Sequence, residues 1–332
     1  MKPNVIVLTT GGTIGHRSTD GLAVMDFDPQ RLIAQTGIPG VQVEFRSVLH
    51  KGSMDIVPSD WRAIATAIFV AAADAPCGIV VLHGTDTMHY TAAALSFMLR
   101  GLAFPVVLSG SMIPGGDAAS DAITNLRDAI LVAAQADLAE VCIVFSADGA
   151  PSKSIIIRGC RARKVHSHAL AAFASIGSPP IGFVSGCTIE RSELVVRRRS
   201  SDTLRLATAL NENVVLIKMT PNLSPEALTQ FLKGASGVVI EGFGTGHIRT
   251  DLQPTIAGFS GPVVLSTQAF EGGERLGAYD VDRVILNIPN LIPAGDICSE
   301  AALVKLMWAL AQGGEVRAIM GTNIAGEITG RG

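Results

Sequence analysis

The stretch Val5-Ile-Val-Leu-Thr-Thr-Gly-Gly-Thr-Ile-Gly15 decides the fold. Its first four residues are apolar, mostly β-branched and without alternation, which predicts a strand buried on both faces of a parallel sheet. The run breaks at Gly11-Gly12, where paired glycines let the chain turn through positive φ and bring backbone N–H groups close to a bound molecule. Thr10 and Thr13 put hydroxyls at the C-terminal end of that strand, where open α/β sheets bind ligands. Alone, such a turn is better explained as a bare strand-to-loop connection. A second stretch of the same build, Gly78-Ile-Val-Val-Leu-His-Gly-Thr-Asp-Thr-Met88, turns the reading toward a site.

Working outward, the chain alternates strands and helices. Residues 41–48 place Val41, Val43 and Phe45 at every second position, the period of a half-buried strand, and lead into the polar turn Lys51-Gly-Ser-Met-Asp55. Ser59 or Asp60 then caps a helix predicted to run to about residue 73, with Trp61, Ile64, Ala65 and Ile68 on one face. Strands follow at 79–82, 105–108 and 141–145, with helices between them. This pattern predicts an α/β fold built on a parallel, doubly wound sheet. Residues 16–28, polar and punctuated by Gly21, read as a mobile loop over the first turn. Residues 154–157 and 161–165 read as one extended charged hairpin, and 191–205, with Arg197-Arg-Arg199, as a solvated surface connector. A second α/β unit starts near Asn213. Its first helix is capped by Ser224 with Pro225 at the first position, and its closing helix carries Leu303, Leu306, Met307 and Leu310 as a core stripe. The organisation expected is a larger N-terminal α/β domain over 1–190, a linker over 191–212 and a smaller C-terminal α/β domain over 213–332.

Composition bounds what the chain does. Of 332 residues, 48% are apolar and 17% charged, which favours a sizeable core over disorder. A net charge of −3 provides no field to gather nucleic acid or an anionic membrane, and no apolar run approaches the roughly 20 residues of a membrane span. The five cysteines, Cys77, Cys142, Cys160, Cys187 and Cys298, are widely spaced and lack C-x-x-C. Cys77, Cys142 and Cys187 lie in or beside apolar runs and are expected as buried thiols of a reducing compartment. The N-terminus shows no charged-then-apolar leader, so a cytoplasmic protein is expected, with neither a membrane nor a nucleic-acid partner.

In a parallel sheet every strand points the same way, so the hydroxyl-bearing turns at Thr10/Thr13, Ser53/Asp55, Thr85/Asp86/Thr87 and Ser109/Ser111 fall along one edge. Hydroxyls, carboxylates and glycine N–H groups converging there suit a small polar molecule with both an amine and a carboxylate. A dinucleotide fits less well. Neither Gly11-Gly-Thr-Ile-Gly15 nor Gly242-Phe-Gly-Thr-Gly-His247 has the spacing of G-x-G-x-x-G, and neither is a phosphate-binding loop of the G-x-x-x-x-G-K-[ST] type. His166-x-His168 lacks a third metal ligand at useful spacing. No metal and no cofactor are expected.

Thr10-Gly-Gly-Thr-Ile14 together with His83-Gly-Thr-Asp-Thr-Met88 resembles the two signature motifs of the bacterial-type L-asparaginases. The resemblance continues in order through Gly52-Ser-Met-Asp55, Gly110-Ser-Met-Ile-Pro114 with Ser120-Asp121, Arg158-Gly-Cys-Arg-Ala-Arg-Lys164, the glycine turn ending in His247, and Gly295-Asp296. It covers essentially the whole chain and is nearest the cytoplasmic type I branch. It implies a hydrolase that cleaves the side-chain amide of L-asparagine or a related small amide to the acid and ammonia. It implies no cofactor, and a homodimer or homotetramer in which one protomer's second domain approaches its neighbour's site. Residue by residue, Thr13 resembles the nucleophile, and Thr85, Asp86 and Lys164 the proton-handling group. Gly12, Ser53, Met54, Asp55, Gly84, Ser111 and His247 fall where substrate is bound.

That assignment is physically coherent. An amide carbonyl needs a nucleophile and donors aimed at the developing oxyanion, and a threonine hydroxyl needs a base to take its proton. One departure stands out. The family's mobile loop carries a tyrosine, whereas Leu22 follows Gly21 here and the two tyrosines are Tyr90 and Tyr279. His16 is a candidate substitute. Two alternatives follow from the departure: an amino-acid-binding sensor that has lost turnover, or an amidase for another amide. A transamidating enzyme acting on aminoacylated RNA is disfavoured by the lack of a basic surface signal.

Overall fold

The structure, a computed structural model, describes residues 2–147, 153–193, 196–277 and 280–329. The chain divides into two compact units, Met1–Ser175 with Pro179–Ala207, and Ile176–Ser178 with Thr208–Gly332.

In the first unit, β1 (Asn4–Gly11) pairs in parallel with β2 (Gln42–Lys51) on one side and β3 (Gly78–Leu82) on the other. Beyond β3 lie β4 (Val106–Ser109) and β5 (Val141–Ser146), also parallel, so the strand order is 2-1-3-4-5. The continuous apolar runs are explained by burial on both faces. Val5, Val7, Val80, Leu82 and Val107 share a core cluster with Leu126, Ala129, Ile130 and Ala133 of α3 (Ala122–Gln135). The alternate residues Ile6, Leu8, Ile79 and Val81 face the other way and are equally buried. Helices α1 (Pro58–Ala71) and α2 (Met88–Met98) lie between the strands in sequence and also pack on the sheet.

Three strands that the reading as a purely parallel sheet lacked extend the β5 edge: β6 (Lys153–Arg158), β7 (Gly182–Ser185) and β8 (Thr188–Arg191), each antiparallel to its neighbour. The physical reason is loop length. Only residues 147–152 join β5 to β6, whereas a parallel crossover needs about a dozen residues or more. The expected hairpin between 154–157 and 161–165 is therefore not formed. Lys153–Arg158 joins the main sheet, and Ala162–Lys164 pairs instead with Phe173–Ser175. The expected loop over the first turn is a small hairpin, Arg17–Thr19 against Leu22–Val24, turning at Asp20 and Gly21 with φ of 52° and 80°. Ser18 ties it down by donating its N–H and its hydroxyl to Asp117, at 2.9 and 2.5 Å.

The basic segment is not wholly a solvated connector. Arg199 is half-buried and donates from Nε to Ala136 O (2.7 Å), from one terminal nitrogen to Ala133 O (2.8 Å) and from the other to Cys77 O. It thereby satisfies carbonyls at the end of α3 that the helix leaves open. Cys142 is buried as expected, but Cys187 is exposed at the turn between β7 and β8.

The second unit carries β9 (Val214–Lys218), β10 (Gly237–Gly242), β11 (Val263–Thr267) and β12 (Leu291–Pro293) in sequence order, all parallel. Ser224 caps α4 (Pro225–Leu232) as expected, its side chain accepting from Ala227 N at 3.2 Å. In α5 (Ser299–Ala309), Leu306 and Met307 are buried, and so is Lys305, whose Nζ lies 2.6 Å from Glu327. Among the described residues no helix is long and apolar enough to cross a membrane.

The ends of β1, β2 and β3 interlock with no space for side chains. Gly12 has φ of 80°, and a Cβ built on it meets Gly84 N at 2.3 Å; one built on Gly84 meets Ser53 Oγ at 2.6 Å. Gly21 has the same φ of 80° with nothing within 4 Å. Gly12→Ala is therefore expected to cost clearly more than Gly21→Ala, for which the backbone penalty alone is about 1 kcal/mol. Thermal unfolding of the two variants separates steric exclusion from φ preference. Equal losses in Tm would contradict the interlock.

Candidate active site

In a sheet of order 2-1-3-4-5 the winding reverses between β1 and β3, and a crevice opens at the C-terminal ends of those two strands. Thr10 and Thr13 follow β1, and Thr85, Asp86 and Thr87 follow β3. The abutting glycines Gly12 and Gly84 bring the two turns into contact, and each is followed in sequence by a threonine, Thr13 and Thr85. Ser53, in the turn after β2, is buried beside them.

Hydrogen bonding sorts the hydroxyls. Thr10 donates to Leu82 O at 2.9 Å and staples β1 to β3. Thr87 donates to Ser53 O at 2.7 Å, and Ser53 Oγ accepts from Asp86 N at 3.2 Å, which locks the β2 and β3 turns together. Ser109 donates to Val144 O at 2.8 Å. By contrast, the Thr13 hydroxyl is half-buried and has no protein partner among the described residues. Ser111 is fully buried with its Oγ likewise unpartnered among them.

Thr85 is treated differently again. Lys164 reaches it from the Ala162–Lys164 strand, with Nζ 2.8 Å from Thr85 Oγ1 and 2.7 Å from Asp86 Oδ1. An ammonium only donates, so it occupies a lone pair of Thr85 Oγ1 and leaves that hydroxyl's own hydrogen free. The Lys164 side chain is 13% exposed and that of Asp86 62%. The ion pair is thus rooted in the protein at the lysine end and open to solvent at the carboxylate end.

Of the other residues expected at the site, Gly12 contributes shape rather than its donor. Its N–H goes to Lys51 O at 3.1 Å, and its carbonyl accepts from His16 Nδ1 at 2.7 Å. A carbonyl only accepts, so the imidazole carries a proton on Nδ1. Met54 is 78% exposed and Asp55 is also exposed. His247 belongs to the second unit, where its Nε2 lies 3.1 Å from the buried carboxylate of Asp282. His166 Nδ1 accepts N–H groups from His168 and Ala169 at 3.1 and 2.8 Å, and no cluster of three metal-ligating side chains occurs among the described residues.

Sequence reasoning missed the supports. His83 is fully buried, with Nδ1 donating to Gly84 O at 2.7 Å and Nε2 accepting from Thr91 Oγ1 at 3.0 Å, so it fixes the second glycine turn from below. Asp121 accepts from Met112 N and Ile113 N at 3.0 Å and from Asn125 Nδ2 at 2.8 Å, shaping the turn that carries Ser111. Burial raises its carboxyl above the usual range despite these donors. The spacing Asp121-x-x-x-Asn125 at the head of a helix was the available signal. The second unit holds a cavity of about 900 Å³, lined by Glu274, Arg275, Asp296 and Thr329 among others. Unlike the crevice at β1 and β3, it does not carry the hydroxyl–ammonium chemistry, so size does not select it as the reaction site.

A hydroxyl held by an ammonium on one turn and an unspent hydroxyl on the abutting turn are groups that acyl transfer can use, at the edge where an α/β sheet of this strand order binds ligands. The chain belongs to the asparaginase family: residues 4–196 match "Asparaginase, N-terminal" and residues 213–321 match "Glutaminase/Asparaginase C-terminal domain". It is 40% identical to an L-asparaginase of Thermococcus kodakarensis, covering 98% of this chain and 99% of that one. It is 34% identical to a glutamyl-tRNA(Gln) amidotransferase component from Methanosphaera stadtmanae, covering 98% of this chain and 77% of that one. The crystal structure of L-asparaginase I from Vibrio cholerae matches with a TM-score of 0.86 at 30% identity, covering 99% of this chain and 100% of that one. The protein is an amidohydrolase of the asparaginase type.

Two buried histidines make the fold acid-sensitive. Burial lowers His83 from the ordinary 6.5 to about 4. It does the same to His89, where the cations Arg163 and Lys164 add to the effect. A folded pKa below the unfolded one means the unfolded chain binds more protons, so stability is lost as pH falls from about 6.5 toward 4. Each histidine contributes a slope of up to about 1.4 kcal/mol per pH unit. Tm is expected to drop steadily between pH 7 and 5, and His89→Gln to remove a large part of that slope. A flat Tm across this window would contradict it.

Proposed function

We propose that the chain hydrolyses the side-chain amide of L-asparagine through Thr13. The observation that carries this reading is the division of labour at the abutting turns: Thr13 keeps a free hydroxyl while Thr85, on the other turn, is engaged by Lys164, which also pairs with Asp86. Thr13 Oγ attacks the amide carbon, and its proton passes to the leaving nitrogen. The C–N bond breaks, ammonia departs, and an acyl-threonine ester remains. Water then adds to the ester carbon; Thr85 accepts a proton from it while passing its own hydroxyl hydrogen to the departing Thr13 oxygen, and the Lys164 ammonium steadies the Thr85 oxygen during this relay. Collapse returns Thr13 and releases L-aspartate. The N–H groups of Thr13 and Thr85, unspent among the described residues, are the oxyanion donors. Ser53 and Asp86 hold the substrate's α-carboxylate and α-amine, with Met54, Asp55, Gly84 and Ser111 completing the substrate contacts. His16, pinned by Gly12 O, serves in place of the loop tyrosine.

Part of the same proposal is a cytoplasmic homodimer or homotetramer, which light scattering would test. A second reading, an amino-acid sensor without turnover, is favoured by one observation: Leu22, 72% exposed, follows Gly21 in the hairpin where a tyrosine was expected.

The experiment is ammonia release from L-asparagine. Thr13→Ala and Lys164→Met are each expected to lose on the order of 10³-fold or more in kcat, as enzymes do when a nucleophile or its proton relay is removed. Equal rates in native protein and Thr13→Ala would end the assignment. Asparagine-dependent stabilisation of the native chain with no ammonia formed would establish the sensor.

A further inference from the structure

Lys164 has one hydrogen left over. An ammonium carries three N–H donors, and among the described residues two are used, on Thr85 Oγ1 and Asp86 Oδ1. The Lys164 side chain also lines a cavity of about 460 Å³ with Asp86, His89, Tyr90, His166 and Ser167 in its walls. That is room for several waters, and the walls are polar enough to hold them. Asp86 already accepts from Lys164, and His166 Nδ1 is occupied by its own loop.

His89 is a wall residue whose imidazole has unspent capacity. It is 7% exposed, and its Nδ1 is buried without a hydrogen-bond partner among the described residues. Its ring packs against Tyr90, with centroids 4.6 Å apart. Burial and the nearby Arg163, Lys164 and His83 lower its pKa and Asp86 raises it, and the net shift downward keeps the imidazole neutral at neutral pH. A neutral imidazole has one acceptor nitrogen. With the proton on the buried Nδ1, that acceptor is Nε2. An imidazolium at this place would offer donors only and would repel the ammonium.

We propose that His89 is a positioning residue for Lys164: through water in this cavity, its Nε2 accepts the third N–H of the ammonium and so holds Nζ on Thr85 and Asp86. The proposal rests on the reading of Lys164 as part of the proton-handling group. It adds a residue from the first turn of α2 that touches neither the substrate nor the reacting atoms.

The test compares His89→Leu, His89→Gln and Lys164→Met by steady-state ammonia release and by thermal unfolding. A water-mediated hydrogen bond to a charged group corresponds to roughly a tenfold change in rate. His89→Leu is therefore expected to lower kcat about tenfold while KM stays within about twofold. His89→Gln, whose carboxamide oxygen accepts from the same water, is expected to recover kcat to within about threefold of native. Native kcat in His89→Leu alongside an inactive Lys164→Met would overturn the role of His89 and leave the proton-handling reading intact. Equal losses in the Leu and Gln variants, tracking their losses in Tm, would reduce His89 to packing and overturn the proposal. A fully active Lys164→Met would remove the reading on which it rests.

Discussion

Everything at the site depends on a backbone-to-backbone contact between two glycines. Gly12 and Gly84 approach so closely that a single Cβ on the first would overlap the amide nitrogen of the second. The contact makes two turns, 72 residues apart at Gly12 and Gly84, into one surface. Thr13 and Thr85 are each the next residue after a member of that pair. The interlock is held from three sides: Thr10 on Leu82 O, the Ser53 carbonyl and hydroxyl on Thr87 and Asp86, and the His83 ring on Gly84 O. Each uses a polar group that burial would otherwise leave unpaired, at a penalty of about 1–3 kcal/mol. The same bonds that satisfy the core therefore fix the geometry of the crevice.

The strand order supplies the rest. Winding 2-1-3-4-5 separates β1 and β3 in chain direction, so the connections that follow them leave toward opposite faces and open the crevice between. The antiparallel strand β6 leads directly, through a short turn at Gly159–Arg161, into the Ala162–Lys164 strand whose lysine reaches Thr85. A purely parallel continuation would have sent the chain back across the sheet in a helix, with no residue at the position of Lys164. The unexpected part of the sheet is thus the part that delivers the cation.

Much of this was legible in the sequence because it followed from periodicity and from turn chemistry. Unbroken β-branched runs ending in glycine and threonine specify buried parallel strands and their functional edge, and neither reading needs knowledge of a partner. What was not legible depended on partners remote in sequence. Arg199 read as a solvated cation because its ligands are carbonyls at the end of α3 and at Cys77, which no local pattern announces. The hairpin at residues 17–24 read as a loop because its strands are three residues each and fully exposed, so no alternation marks them. Lys164 was placed in the wrong hairpin because Lys153–Arg158 is nearer in sequence than Phe173–Ser175, its actual neighbour across the ribbon.

The hydroxyls show how far composition can mislead and geometry correct it. Counted in sequence, Thr10, Thr13, Ser53, Thr85, Thr87, Ser109 and Ser111 are equivalent candidates at strand ends. Counted by capacity, they separate. Thr10, Thr87 and Ser109 donate their only hydrogen to backbone carbonyls and have no proton to give a substrate. Ser53 spends acceptor capacity on Asp86 N and, by the carbonyl, on Thr87, but retains its hydrogen. Thr85 is the one whose lone pair is taken by a cation while its hydrogen remains, which biases the oxygen toward bearing negative charge. Thr13 and Ser111 retain both functions, and of these two only Thr13 is partly exposed, Ser111 being fully buried. The order of chemical readiness is therefore set by which donor and acceptor positions the fold leaves vacant together with burial, and it brings Thr13 and Thr85 forward from a row of seven.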